Sequence, residues 1–239
     1  MAWRPGCICK RSAAILLALI LGCNDSAVSH NQPRRQPDVA DPAHGPADGS
    51  GKAAPMTTPD LATLTASLQA DVARDIPPFG ASSVKLAQQL GPAATGALLP
   101  RVRGHGPDAF LALEALRAAD AAGYAALPAD ERAAIYAAAL QRNAYFNSWG
   151  QPGQALTDTA HAFAALGDAA VRALTPLLAD QRDAPSSGSR DATASANHRN
   201  RVCDYAWVLI SEARHIDYVY ASSPADRDRE IAAMRARLP

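Results

Sequence analysis

The sequence of 239 residues lacks the short motifs that would identify a chemical function directly. It contains no P-loop, no Gly-x-Ser-x-Gly nucleophile turn, no His-Glu-x-x-His zinc motif and no dinucleotide-binding glycine fingerprint. It also has no excess of one charge, since 23 basic residues balance 23 acidic ones. Aromatic residues are few, and no stretch alternates clearly with the period of two that is typical of a β-strand. The motif-based enzyme classes and a β-sheet fold are therefore not predicted.

The first 22 residues have the three parts of a secretory signal peptide. Three basic residues and no acidic one precede an apolar run of about ten residues, which ends at Gly22. The basic residues are Arg4, Lys10 and Arg11. Because a helix needs about twenty apolar residues to cross a bilayer, the run predicts a cleaved signal at 1–22 and not a permanent span.

The predicted cleavage site reads Ile20-Leu21-Gly22-Cys23. It resembles the lipobox of bacterial lipoproteins, in which an apolar residue and a small residue precede an obligatory cysteine, although Leu21 stands where a small residue is commoner. The resemblance implies that Cys23 carries a lipid and anchors the chain in the cell envelope. In a Gram-negative host, Asn24 in place of aspartate favours the periplasmic face of the outer membrane over the inner membrane. An ordinary signal peptide with an incidental cysteine is the alternative.

Processing at this site would change both the thiols and the charge of the chain. Cleavage removes Cys7 and Cys9 and lipidation uses Cys23, which leaves Cys203 as the one free thiol and allows no internal disulfide. The formal charge becomes 20 − 23 = −3, because the signal contains three basic residues and no acid. A negative chain is unsuited to nucleic acid, and membrane attachment is expected to come from the lipid.

The remaining chain divides into a tether and a domain. Residues 23–57 are rich in proline and polar residues and are predicted to form a disordered tether, because they contain too little apolar surface to bury. Residues 58–239 are predicted to form an all-α domain, with Thr58 as the first N-cap and Pro59 at the first helical position. The helix before Pro77 is followed by predicted helices near 81–90, 92–103, 108–122, 129–143, 154–166, 168–180, 200–214 and 224–237.

One segment of the domain is repeated. Residues 90–100 (LGPAATGALLP) match residues 166–176 (LGDAAVRALTP) at seven of eleven positions, at a constant offset of 76 residues. The pattern indicates a helix that ends at Leu, a glycine in the left-handed conformation, and a second helix that starts at once. Leu98 and Leu174 occupy equivalent positions and are predicted to be buried.

This unit resembles the HEAT repeat and its bilin-lyase-like relatives, in which a helix, Leu-Gly and a second helix recur. The resemblance covers about residues 81–214 and implies an α-solenoid of stacked helix pairs, with return helices that begin near Asp108 and Arg201. A polar, flexible insert at about 183–199 would displace the second return helix. An irregular helical bundle is the alternative.

Candidate sites are few. Cys203 lies on an apolar helical face and His161 at the edge of one, so both are predicted to be packing residues, and no catalytic residue is assigned. His215 and Asp217 have no third ligand at metal-binding spacing, and neither a metal nor a cofactor is predicted. Aromatic residues on interhelical segments are the candidate binding patch, with core packing as the alternative. They are Tyr145, Phe146, Trp149, Tyr218 and Tyr220.

Two functions follow from these observations. The first is a non-enzymatic envelope lipoprotein whose helical-repeat domain binds an envelope protein, without nucleic acid or cofactor. The second is an envelope enzyme or enzyme accessory with an acidic and histidine-containing cleft formed by Asp204, His161 and His215. Convergence of these three side chains in one pocket would favour the second function.

Overall fold

A computed structural model of the protein describes residues 60–144 and 146–238. The predicted signal peptide, Cys23, the tether, the Thr58-Pro59 helix start and Tyr145 lie outside these residues. The described part contains eleven α-helices, and the fold is mainly helical as predicted. The α-helices are α1 (Leu61–Ala73), α2 (Ser82–Leu90), α3 (Thr95–Arg103), α4 (Ala109–Ala119), α5 (Ala121–Ala126), α6 (Ala129–Arg142), α7 (Asp158–Ala164), α8 (Asp168–Leu174), α9 (Ser189–His198), α10 (Val202–Arg214) and α11 (Pro224–Arg235).

Three element boundaries differ from the prediction for local reasons. Helix α1 is capped by Asp60, whose carboxylate accepts a hydrogen bond from the Thr63 amide at 2.6 Å. The predicted helix 108–122 is divided at Asp120, because this carboxylate caps the separate helix α5. Helix α7 begins at Asp158, since the preceding residues form an antiparallel hairpin of β1 (Gly150–Gln151) and β2 (Ala155–Leu156).

The two copies of the repeated segment have the same local course. Gly91 and Gly167 have positive φ angles of +59° and +57°, which favour glycine, but their ψ angles of −146° and −121° lie outside the left-handed helical conformation that the repeat predicts. Leu98 and Leu174 are both buried, which confirms that prediction. The copies differ in two respects. A 3-10 turn precedes the α-helix in the first copy and follows it in the second, and the helix before the glycine ends at Leu90 in the first copy but at Ala164 in the second. These turns are Gly91–Ala94 and Thr175–Ala179.

A return helix packs against each copy. Helix α4 contacts α2 and α3, and α10 contacts α7, α8 and the second 3-10 turn. Both return helices lie at the centre of the core, and every residue of α10 from 202 to 211 is buried. Its burial includes Cys203, which confirms the predicted core position of that thiol.

The first return helix, α4, places a buried carboxylate in the core of the domain. Glu114 of α4 accepts hydrogen bonds from the hydroxyl groups of Tyr136 at 2.6 Å and Thr159 at 2.7 Å. Arg117 donates to the same carboxylate at 2.8 Å. Because its oxygens are paired in this way, Glu114 connects α4, α6 and α7 without leaving an unpartnered charge in the core.

The segment at 183–199, predicted to be a flexible insert, contains helix α9. Asn147 accepts a hydrogen bond from the Ser187 amide at 2.7 Å, and Ser195 donates to the Ala184 carbonyl at 3.0 Å. The insert is therefore helical in part and is hydrogen-bonded at both ends of α9. Its flexibility stays a prediction.

Within the described ranges, no single helix has the length and hydropathy needed to cross a bilayer. Helix α7 taken together with residues 168–179 meets those two criteria as a pair, but the two parts are bent by 103°.

Candidate functional site

Two of the aromatic residues predicted to form a surface patch lie in the core. Trp149 is completely excluded from solvent, and its ring stacks on Phe110 with centroids 5.6 Å apart. Phe146 is also buried and contacts the Tyr205 ring at 5.0 Å. The exposure predicted for Trp149 and Phe146 is therefore wrong, and both rings stabilise the core. The cause is the hairpin after Trp149, which turns the chain back so that the Thr157 amide donates to the Trp149 carbonyl at 3.3 Å.

The other two rings lie at the surface, on residues 216–221 after α10, which form neither a helix nor an assigned strand. We call these residues the extended segment, because the exposure of successive side chains alternates from 217 to 220. Tyr218 and Tyr220 are half-buried, and both rings contact Trp207 of α10, with centroids 5.6 and 6.0 Å away. The Tyr220 hydroxyl also donates to Asn200 at 2.7 Å. Since both tyrosines face inward, Val219 between them faces outward with 86% of its surface exposed.

The backbone of this extended segment is unpaired. Among the described residues, 217–220 form no hydrogen bond from backbone to backbone. Their side chains alternate between half-buried tyrosines and exposed residues, which is the alternation of a β-strand with one solvated face. The segment Tyr218-Val219-Tyr220 carries this period of two in the sequence, but it is too short to distinguish from chance.

An apolar groove lies between this segment and the last two helices, with a volume of about 410 Å³. We call it the α10–α11 groove. Its apolar walls are formed by Trp207, Ile210, Ile216, Val219, Met234 and Leu238. Charged residues of both signs lie along the same groove, namely Arg214, Asp217, Glu230 and Arg237. Ile216 has 43% of its surface exposed, so two large apolar residues of one short segment face solvent here.

A second cleft, of about 490 Å³, lies on the other side of the tyrosines and is mainly polar. It is bordered by the hairpin and by His161, Glu212, Tyr218 and Tyr220. The Tyr218 hydroxyl donates to Glu212 at 3.2 Å. Burial, together with the Glu212 carboxylate, raises the pKa of Tyr218 to about 12, so this tyrosine is a hydrogen-bond donor at neutral pH.

The predicted trio of Asp204, His161 and His215 does not converge in this cleft. His215 borders a neighbouring cleft that shares Glu212 and Tyr218. Asp204 is fully buried and forms ion pairs with Arg201 at 2.9 Å and with Arg227 at 3.0 Å. Glu212, which no sequence pattern selected, is the carboxylate that borders the same cleft as His161. The exposure of Glu212 could not be predicted from its place in α10, because that helix is buried along most of its length.

The ion pairs of Asp204 belong to a cluster that joins the last helix to the core. Arg227 of α11 is completely buried and donates to the carbonyl oxygens of His198 and Ala221, each at 2.8 Å. Its guanidinium also lies 4.9 Å from the centre of the Tyr220 ring. Arg227 therefore holds α9, α10 and the extended segment in one arrangement, and thereby positions Val219.

Cys203 lies one residue from Asp204 but does not border the cleft that contains His161. Burial and the Asp204 carboxylate raise the pKa of the thiol to about 11. A thiol of this kind is protonated at neutral pH and is a poor nucleophile. In the described part of the chain, no group of three or more His, Cys, Asp or Glu side chains is placed to hold a metal ion.

The extended segment 216–221, with the α10–α11 groove on one side and the polar cleft on the other, is therefore the candidate site. Comparison of the chain with protein-family models, curated proteins and solved structures gave no match.

Proposed function

We propose that the protein is a lipid-anchored protein of the bacterial envelope whose helical domain binds another protein through the surface around Val219. The anchor is supported by the basic and apolar residues before Gly22 and by the lipobox-like sequence that ends at Cys23. A domain held at the membrane by a lipid and a tether meets partners in the same compartment, which suits a binding role.

The observation that carries the binding role is the exposure of Val219 and Ile216 beside the α10–α11 groove. A single exposed apolar residue is ordinary on a protein surface. Here two of them share one segment and continue into a groove with four further apolar walls. A continuous apolar surface bordered by charges is the arrangement of a protein-interaction site, because burying it against a partner is favourable.

The domain architecture is proposed to follow the HEAT-like plan. The two aligned segments support this, since each has a glycine of positive φ, a buried leucine at the same position and a return helix packed on the preceding pair. Stacked helix pairs bind proteins along their exposed faces.

A second candidate, an envelope enzyme or accessory, is supported by one observation. His161 and Glu212 border the same polar cleft, so an imidazole and a carboxylate face one volume. In this proposal Glu212 takes the role first assigned to Asp204. An activity of this cleft should fall with both His161→Ala and Glu212→Gln, and an activity that survives both substitutions would reject it.

The anchor is tested by substituting its cysteine. Cys23→Ser should move the protein from the membrane fraction to a soluble or uncleaved form, because no thiol remains to accept the lipid. The matched control is Cys9→Ser, which changes a cysteine within the predicted signal and should leave the protein in the membrane fraction. A Cys23→Ser protein that is processed and still sediments with membranes would contradict the proposal.

The binding surface is tested by site-specific photo-crosslinking in intact cells. A photoreactive residue at position 219 should give discrete protein adducts, since Val219 lies at the centre of the proposed surface. The control position is Gln89, which is exposed on α2 and does not border the groove. Equal crosslinking at both positions, or none at 219, would contradict a binding role for this surface.

A further inference from the structure

We propose that the protein bound at this surface is a second copy of this chain, in a two-fold symmetric dimer whose extended segments pair as antiparallel strands centred on Val219. The inference rests on the proposed binding surface, and it adds the identity of the partner and the register of the contact.

The backbone of the extended segment supports strand pairing. Residues 217–220 have no backbone partner among the described residues, and their side chains alternate between a buried and a solvated face. An exposed strand of this kind is completed by the addition of another strand. The order of side chains fits pairing with itself: with Val219 opposite Val219, Tyr218 lies opposite Tyr220 on the inner face, and Asp217 lies opposite Ala221.

The charges around the segment also suit a second copy. Along the groove two basic residues, Arg214 and Arg237, balance two acidic ones, Asp217 and Glu230. A patch with no net charge does not repel its own copy, and it does not attract a partner of strongly one-signed charge.

The register makes a prediction about distances. In an antiparallel pair centred on Val219, the two Val219 Cβ atoms would lie about 4.5–5.5 Å apart, within reach of a disulfide. The two Asp217 residues would lie about 14 Å apart, because four residues of strand separate them at about 3.4 Å each. That separation is beyond the limit of about 7 Å between Cα atoms that a disulfide tolerates.

The experiment is disulfide trapping of the full chain in intact cells with a mild oxidant. Val219→Cys should give a linked dimer in at least about fivefold greater yield than Asp217→Cys, which is the matched control because it is exposed on the same segment. The wild-type chain gives the background yield of linked dimer that its own cysteines produce. Co-expression of Asp217→Cys and Ala221→Cys chains with different tags should restore a mixed dimer, since these positions face each other.

Three results would overturn the dimer. Equal yields at 217 and 219 would indicate random collision, and failure of the 217–221 pair would reject the register. A crosslink from 219 to a protein of a different mass would reject the second copy while leaving the binding surface intact. No crosslink from 219 to any protein, by disulfide or by photoreaction, would reject both this inference and the proposed function.

Discussion

Trp149 lies among the rings of Phe110, Tyr136 and Phe163, with centroids 5.6 to 6.3 Å from its own. Trp149→Ala should lower the free energy of unfolding by about 3–5 kcal/mol, because the cavity removes contacts to all three rings. Denaturant unfolding measures this change. The matched control is Phe79→Ala, since Phe79 is 66% exposed and should contribute little. Similar losses in the two variants would contradict the buried position of Trp149.

The Cys203 thiol should make stability depend on alkaline pH. Below about pH 9 the thiol is protonated in both the folded and the unfolded chain, so it adds no pH dependence. Between about pH 9 and 11 the unfolded chain releases this proton while the folded protein retains it, and stability should fall. Cys203→Ala should flatten the dependence of the unfolding midpoint over that range. A slope unchanged by the substitution would argue against a buried, protonated thiol.

Individual residues differ in how well the sequence predicts their burial. The burial of Leu98, Leu174 and Cys203 follows from helical spacing, because a helix places every third or fourth residue on one face. The burial of Trp149 does not, since it depends on how a hairpin turns the chain back. Gly150, with a φ of +83°, makes that turn possible, but a glycine in a loop permits several directions and specifies none.

At the scale of the helix, the repeat makes a paired prediction. Leu98→Ala and Leu174→Ala should each lower the free energy of unfolding by about 2–5 kcal/mol, because both side chains are buried between a helix pair and its return helix. Leu61→Ala on α1 is the control, since Leu61 has 44% of its surface exposed. Unfolding midpoints measured side by side compare the three. A loss below about 1 kcal/mol at both repeat positions would mean that the sequence match does not reflect equivalent packing.

The elements that sequence patterns missed have little apolar content of their own. Strands β1 and β2 contain two residues each, too few to display an alternation. Helix α9 has one buried residue, Ser195, which is held by a hydrogen bond rather than by apolar packing. Both elements also form hydrogen bonds to residues distant in sequence, such as Gln151 of β1 to Ser186 and Asp191 of α9 to Asn147, and a local pattern contains no information about these contacts.

At the scale of the whole domain, the buried Arg227 should matter far more than a surface arginine. Arg227→Met should lower the free energy of unfolding by about 3–5 kcal/mol, because it leaves the fully buried Asp204 carboxylate with one fewer cation. Arg229→Met is the matched control on the same helix, since Arg229 pairs with Asp226 in solvent and should change stability little. Equal effects in chemical denaturation would show that the Arg227 cluster does not join α11 to the core.

In the candidate site, too, some residues can be predicted from the local sequence, whereas others depend on contacts between distant parts of the chain. Tyr218 and Tyr220 could be selected from the sequence, because aromatic residues on segments between helices are candidates for recognition. Val219 and Glu212 could not, since their exposure depends on the position of α11 against α10. That position is determined by the buried Arg227 together with Ile231 and Met234, which pack α11 into the core.

The Arg227 cluster also constrains the order in which the chain can fold during synthesis. Asp204 lies 23 residues before Arg227, so α10 leaves the ribosome before the cation that completes the neutralisation of its buried carboxylate. The carbonyl oxygens at the end of α9 likewise lack their hydrogen-bond donor until Arg227 has been synthesised. A nascent chain without α11 would therefore pair Asp204 with Arg201 alone and would leave uncovered the part of α10 that packs against α11. Folding of this domain is completed only after the residues of α11 have been translated.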